Sequence, residues 1–463
     1  MLSIFFDLET SDSNFAGQLL NYSFLVVNQS WDVVDELTAE VKLSPLQLPT
    51  AGAILTNRVN LAELSKTAVE TENQATKKIY AFISKYISQS QLGVNLIGYN
   101  SNNFDVQYIR TVLIRNGINP FFSGKLHYRD LLHLVRKLAC LEPDFPREIK
   151  ILENGHRHYS FSLQSITTAF DLLQAEQTHF SKDDVLLTIE LAKYLDRKYG
   201  IDIRSFKSND AADLVEPGKI VHQMLPEYDP ELGRFYNTTP LALLKATPSG
   251  SYWINLNSFL NGTQEKASIQ YIGKLKSFFI ADEPISTELK AAAKKALDKF
   301  RGFDPDLYYG GETSACYLEQ DIYRLFRGKR MDRLFEVIRA KQCDINDDED
   351  VRLLFDRYRL ENHNWESDQE FDGPMWSRLK EWAIMRYGAR LQISKGEPPE
   401  NCDADQLRRY WAPSFVEAHA EITRLMSQKI KPEDASDLAL LQALEHQYRS
   451  SVINQAAGFI HEH

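Results

Sequence analysis

The 463 residues are 43% hydrophobic and 25% charged, a globular composition that excludes collagen-like, mucin-like and disordered classes, at a length suited to two to four domains. The net charge of −11 argues against a protein that coats duplex nucleic acid with a basic surface, but leaves room for a local basic groove. No apolar run reaches the roughly 18 residues of a membrane span, the start to Asp7 has no basic n-region or secretory h-region, and Cys140, Cys316, Cys343 and Cys402 form no Cys-x-x-Cys pair; no membrane partner and a reducing, cytoplasmic address are expected.

Leu2-Ser3-Ile4-Phe5-Phe6 opens the chain as a strand, and Tyr22-Ser23-Phe24-Leu25-Val26-Val27 reads as a second. Residues 73–90 place Ile79, Phe82, Ile83 and Ile87 at helical spacing, ahead of a third apolar strand at Val94-Asn95-Leu96-Ile97. Further helices are predicted over 106–116 and 185–195. This alternation makes residues 1–199 an α/β unit. From 200 to 302, segments broken by Pro217-Gly218, Pro248-Ser249-Gly250 and Asn261-Gly262, with Tyr252-Trp253-Ile254-Asn255-Leu256 as a clear strand, predict a small β-rich unit. Residues 303–463 carry helical periodicity at 347–360, 375–385, 415–426 and 435–452. The acidic run 344–350 fits a helix N-terminus, and the basic run 324–333 fits a solvated helix face as well as it fits DNA.

Chemistry begins where the first strand ends. In Phe5-Phe6-Asp7-Leu8-Glu9-Thr10 the acids are two residues apart, so both carboxylates project to one side of a strand. Alone, such a pair is usually an ordinary exposed face; a divalent cation between the acids is the other way to relieve their repulsion. Gly98-Tyr99-Asn100-Ser101-Asn102-Asn103-Phe104-Asp105 is a strand, a polar turn and an acid at a helix start, where capping alone is sufficient reason for Asp105. Downstream, His179 precedes Asp184 by five residues at the start of another helix. Asp183 competes with Asp184, and the two should point to different sides of that helix.

In order and spacing, Asp7, Glu9, Asp105, His179 and Asp184 resemble the signature of the DEDDh 3′→5′ exonuclease superfamily. Leu48-Pro49-Thr50-Ala51-Gly52, Arg129-Asp130-Leu131-Leu132, Ser160-Phe161-Ser162-Leu163, Leu307-Tyr308-Tyr309-Gly310, Leu353-Leu354-Phe355-Asp356 and Ala412-Pro413-Ser414-Phe415 are similar to segments of bacterial exonuclease I. The resemblance implies an α/β fold with an RNase H-like exonuclease domain at 1–199, an SH3-like β-barrel domain at 200–302 and a helical domain at 303–463. It implies release of nucleoside 5′-monophosphates from the 3′ end of single-stranded DNA in repair and recombination. Two Mg²⁺ or Mn²⁺ ions would be held by Asp7, Glu9, Asp105 and Asp184, with His179 as general base. Leu8, Glu9 and Thr10 would flank the terminal nucleotide, Arg110 and Arg136 would contact the backbone, and Tyr308 would touch the strand, each against an alternative of surface charge or core packing. The resemblance further implies docking of the acidic tail of single-stranded DNA-binding protein on a basic patch, and a monomer is the simpler expectation. The alternatives are a DEDDh enzyme for RNA or proofreading, and a DNA-binding module without nuclease activity. Two departures stand out: Ser11-Asp12-Ser13-Asn14 where the family often has glycine, and Ser162 where it often has arginine.

Overall fold

The computed structural model describes residues 2–13, 17–43, 49–115, 118, 120–151, 157–172, 180–248, 250–262, 268–304, 415–429, 431 and 434–450. A first sheet contains β1 (Ser3–Thr10), β2 (Leu19–Val27), β3 (Val33–Glu40), β4 (Val94–Gly98) and β5 (Leu126–Asp130), in the order β3-β2-β1-β4-β5. The first three strands pair antiparallel, while β4 and β5 continue parallel from β1. This mixed sheet with helices on both faces bears out the α/β class.

Between β3 and β4 lie α1 (Ala51–Asn57), α2 (Leu61–Thr67) and α3 (Glu72–Ser88). Helix α4 (Asp105–Arg115) follows β4; α5 (Leu131–Leu141), the hairpin β6 (Glu148–Ile151) and β7 (Arg157–Ser160), α6 (Leu163–Ala169) and α7 (Ser181–Tyr199) follow β5. The predicted helix over 73–90 begins one residue earlier because Thr71 caps it and exchanges a reciprocal capping-box bond with Gln74.

Strand alternation decides which helix meets which side chain. Ile4, Phe6 and Leu8 pack with Ile79 and Ile83 of α3 and Val106 and Tyr108 of α4. Phe5, on the opposite face, packs with Leu131 and Leu134 of α5 and Val185 and Ile189 of α7. Asp7 and Glu9 share Phe5's parity, so β1 delivers its acids toward α7. Because both faces are covered, all nine residues of β2 are buried, which explains its unbroken apolar run.

The second sheet contains β8 (Ile220–Leu225), β9 (Asn237–Thr247), β10 (Gly250–Asn255), β11 (Ile269–Gly273) and β12 (Phe279–Ala281) in the order β11-β10-β9-β8-β12, every neighbouring pair antiparallel. One face is closed by α8 (Leu256–Leu260) and α9 (Thr287–Lys299), through Ala292, Ala293 and Ala296 against Ala242 and Ile254. The other buries Trp253 and Phe278, stacked with ring centroids 5.3 Å apart.

Of the four predicted C-terminal helices, 347–360 and 375–385 lie outside the described residues. The other two are α10 (Phe415–Gln428) and α11 (Ala435–Ser450). They pack on the N-terminal unit: Ala418, Ile422, Leu441, Leu444 and Tyr448 share a core with Leu20, Ile54, Leu61 and Leu64. Tyr448 Oη donates to the Pro49 carbonyl at 2.9 Å, and Arg58 pairs with Asp437. Among the described residues no helix is long and apolar enough to cross a membrane.

Candidate metal centre

Three of the predicted acids meet. Carboxylate oxygens of Asp7 and Glu9 on β1 and of Asp184 in the first turn of α7 all lie within 4.8 Å of one another. The register with β2 shifts between Glu9 and Thr10, where Leu20 of β2 is passed over in the pairing. The two adjacent acids part at the helix: Asp184 is 9% exposed and joins the cluster, whereas Asp183 is exposed. Both acids suit the positive end of the α7 dipole, so their placement costs the helix little. Below the cluster, Asn21 Oδ1 on β2 accepts the Ser181 N–H at 3.3 Å and ties the start of α7 to the sheet.

Asp105 opens α4, 5% exposed, and the backbone N–H of Leu8, which lies between the two β1 acids, favours its charged form. It stands outside the set of three, but its charge reaches Asp7 and Glu9 and lifts both. Burial first, then the neighbouring carboxylates, hold Asp7 and Glu9 well above the usual carboxylate range. Burial is also the main cause that pushes Asp105 up to about 7. Two like charges at this separation repel by about 3 kcal/mol at an effective dielectric of 20, so four acids here do not all ionise at neutral pH without a cation. The donor set, three mutually close hard oxygens and a fourth beside them, fits a divalent metal such as Mg²⁺ or Mn²⁺.

The turn from β4 to Asp105 is tight. A Cβ on Gly98 would fall 2.5 Å from Ser101 Cβ and 3.1 Å from the Phe6 carbonyl oxygen. Gly98→Ala is therefore expected to lower stability by roughly 1–3 kcal/mol, read from the urea midpoint; an unchanged midpoint would mean that the turn has slack.

His179, the expected general base, and Tyr308 lie outside the described residues. Leu8 is 4% exposed, its side chain in the core against α3 and α4. Thr10 is buried, its hydroxyl donating to the Asp12 carbonyl at 2.9 Å. Arg110 on α4 lies between the rings of Tyr128 and Phe121, 4.5 and 5.0 Å from their centroids, and Arg136 on α5 lies 5.9 Å from that of Phe161. Neither guanidinium forms an ion pair with a carboxylate among the described residues, which leaves two aromatic-braced cations in an acidic protein.

At the departures from the family pattern, polar bonds do the shaping. Ser11 is 1% exposed; its Oγ accepts the Gln18 N–H at 2.8 Å and its carbonyl the Thr50 N–H at 2.9 Å. Asn57 Nδ2 donates to the Thr10 carbonyl at 2.7 Å. Ser162 caps α6, accepting the Ser165 N–H at 3.1 Å. The residue to which sequence reasoning gave no role is Asp130, although it stood in the segment Arg129-Asp130-Leu131-Leu132 and directly before an apolar run, the position of an N-cap.

No protein-family model matches the chain. Exodeoxyribonuclease I of Buchnera aphidicola from Acyrthosiphon pisum is 27% identical over 155 residues, 33% of this chain and 35% of that protein. Its counterpart in the Schizaphis graminum strain is 34% identical over 106 residues, 22% of this chain and 21% of that protein. The matched segments thus span about a third and a fifth of the curated relatives. Across nearly the whole chain the fold is that of exonuclease I. The Escherichia coli enzyme in complex with a dA16 oligonucleotide superposes with a TM-score of 0.64 at 16% identity, covering 97% of this chain and 99% of that one. A zinc-bound form of the same enzyme with single-stranded DNA gives 0.62 at 17% identity, over 98% and 99%.

Proposed function

We propose that this exonuclease I-like chain is a metal-dependent 3′→5′ exodeoxyribonuclease that shortens single-stranded DNA and releases nucleoside 5′-monophosphates, in DNA repair and recombination. The observation that carries the reading is the meeting of Asp7, Glu9 and Asp184 within 4.8 Å at the end of β1. The likeness to exonuclease I structures that hold oligonucleotides supports single-stranded DNA as the substrate.

Asp7, Glu9 and Asp184 would hold a divalent ion, Mg²⁺ or Mn²⁺, and Asp105 would help with a second. Bound there, such ions supply charge neutralisation and a nucleophile at neutral pH. The remaining work belongs to side chains. His179, an imidazole of the residue type best suited to proton transfer near neutrality, takes the proton of the attacking water as its oxygen bonds to phosphorus and the 3′ oxygen leaves. Arg110 and Arg136 bind backbone phosphates, their planes steadied by aromatic rings. The buried backbone around Leu8 and Thr10 fixes the floor on which the last nucleotide rests.

The test is product analysis on end-labelled single strands of both polarities, DNA beside RNA, with Mg²⁺. Mononucleotides are expected from the 3′ end of DNA, with little product after chelation. Preference for RNA, for duplex ends or for the 5′ end would overturn the assignment.

A further inference from the structure

Asp130 ends β5 with no solvent exposure, and its carboxylate is shared between two structures. Oδ1 accepts the N–H of Leu132 at 3.0 Å, capping α5, and that of Asn100 at 2.8 Å. Oδ2 accepts the N–H of Asn102 at 3.0 Å. Asn100 and Asn102 belong to the turn that delivers Asp105 to the acid cluster. Asn100 sits at φ +58°, a left-handed conformation that a non-glycine residue adopts at a cost unless its surroundings hold it. Capping α5 needs only one of these three bonds, so the other two serve the turn.

From the other side the turn is held by the second sheet. Asn102 Nδ2 donates to the Leu275 carbonyl at 3.1 Å, and Lys276 Nζ bonds Asn103 Oδ1. These contacts are partly exposed and single, whereas the Asp130 carboxylate is buried and double.

We propose that Asp130 is a positioning residue for hydrolysis, acting through residues 99–104 to hold Asp105 against Asp7, Glu9 and Asp184; the proposal rests on the nuclease reading above. An ionised carboxylate is acceptor-only and can receive all three N–H groups, which an amide cannot. Asp130→Asn therefore turns an NH₂ group against at least one backbone N–H. Asp130→Ser keeps a hydroxyl that can cap α5 but is too short to reach the turn.

Both variants are made in the full chain and followed by thermal melting, by Mn²⁺ binding in electron paramagnetic resonance, and by hydrolysis against Mg²⁺ concentration. The expected result is a rise of about tenfold or more in the Mg²⁺ needed for half-maximal rate, with Mn²⁺ binding weakened by the same factor and KM for single-stranded DNA unchanged. Folded variants with wild-type metal titrations would overturn the proposal and leave Asp130 a helix cap. Should Asp130→Asn fail to fold, Asp130→Ser, which retains the cap, decides. If the wild-type chain itself does not cleave single strands, the nuclease reading fails, and Mn²⁺ binding alone still tests whether Asp130 sets the acid site.

Discussion

Replacing Asp184 with asparagine is expected to lower single-strand hydrolysis by about a thousandfold or more, equivalent to about 4 kcal/mol of barrier, with the fold intact. Asparagine keeps the shape and removes one of the three carboxylates whose oxygens lie within 4.8 Å of one another. The bond from Thr188 Oγ1 to the Asp184 carbonyl, at 2.7 Å, is a backbone contact of α7 that the substitution keeps. The neighbouring Asp183→Asn is the internal control: Asp183 is exposed, and its loss should leave the rate within about twofold. Initial rates of the two variants under saturating Mg²⁺ measure the difference. Equal losses, or full turnover by Asp184→Asn, would remove Asp184 from the site.

The second large effect is on stability. A carboxyl whose folded pKa is raised binds more protons in the native state than in the unfolded chain, so stability falls as pH rises through the interval between the two values. For Asp105, pushed up to about 7 chiefly by burial, that interval runs from about 4 to about 7, and Asp7, Glu9 and Asp130 act in the same direction. The metal-free protein should therefore be less stable at pH 8 than at pH 5 by a few kcal/mol in urea unfolding. Adding Mg²⁺ at pH 8 should restore about 3 kcal/mol once its concentration is about a hundred times Kd. Surface acids such as Asp213, held low by Lys207, tend the other way, but solvent screening keeps their share small. Asp184→Asn separates the cluster from this background, since it should flatten the pH dependence while raising metal-free stability. Greater stability at pH 8 than at pH 5 in chelator would show that the clustered acids are not the source of strain.

Much of this was legible in advance because it followed from local pattern. β1, β2 and β4 are apolar runs covered on both faces, and a one-residue spacing in a strand put Asp7 and Glu9 on one side. Helical geometry said in advance that Asp183 and Asp184 point to different sides, while the choice of Asp184 came from its five-residue spacing after His179. β3 was not read as a strand because it is the edge of the sheet: Val33 and Val34 are 43% and 53% exposed, and Asp35 and Glu36 are paired with Lys85 and Lys182 rather than buried in an apolar run. The role of Asp130 was illegible for a different reason. Its partners on the active-site turn are backbone N–H groups 28 and 30 residues away, and every residue except proline offers such a group. The anchoring of Ser11 by Gln18 and Thr50 was hidden in the same way.

The packing of α10 and α11 on α1 and α2 sets a schedule for synthesis. Ile54, Leu61 and Leu64 leave the ribosome early, yet Leu441, Leu444 and Tyr448, which cover them, are made nearly 400 positions later. At about 5–20 residues per second the interval is on the order of tens of seconds. Throughout it the nascent chain carries an uncovered apolar surface beside the Ser11 loop, a surface open to chaperones until the last helices arrive.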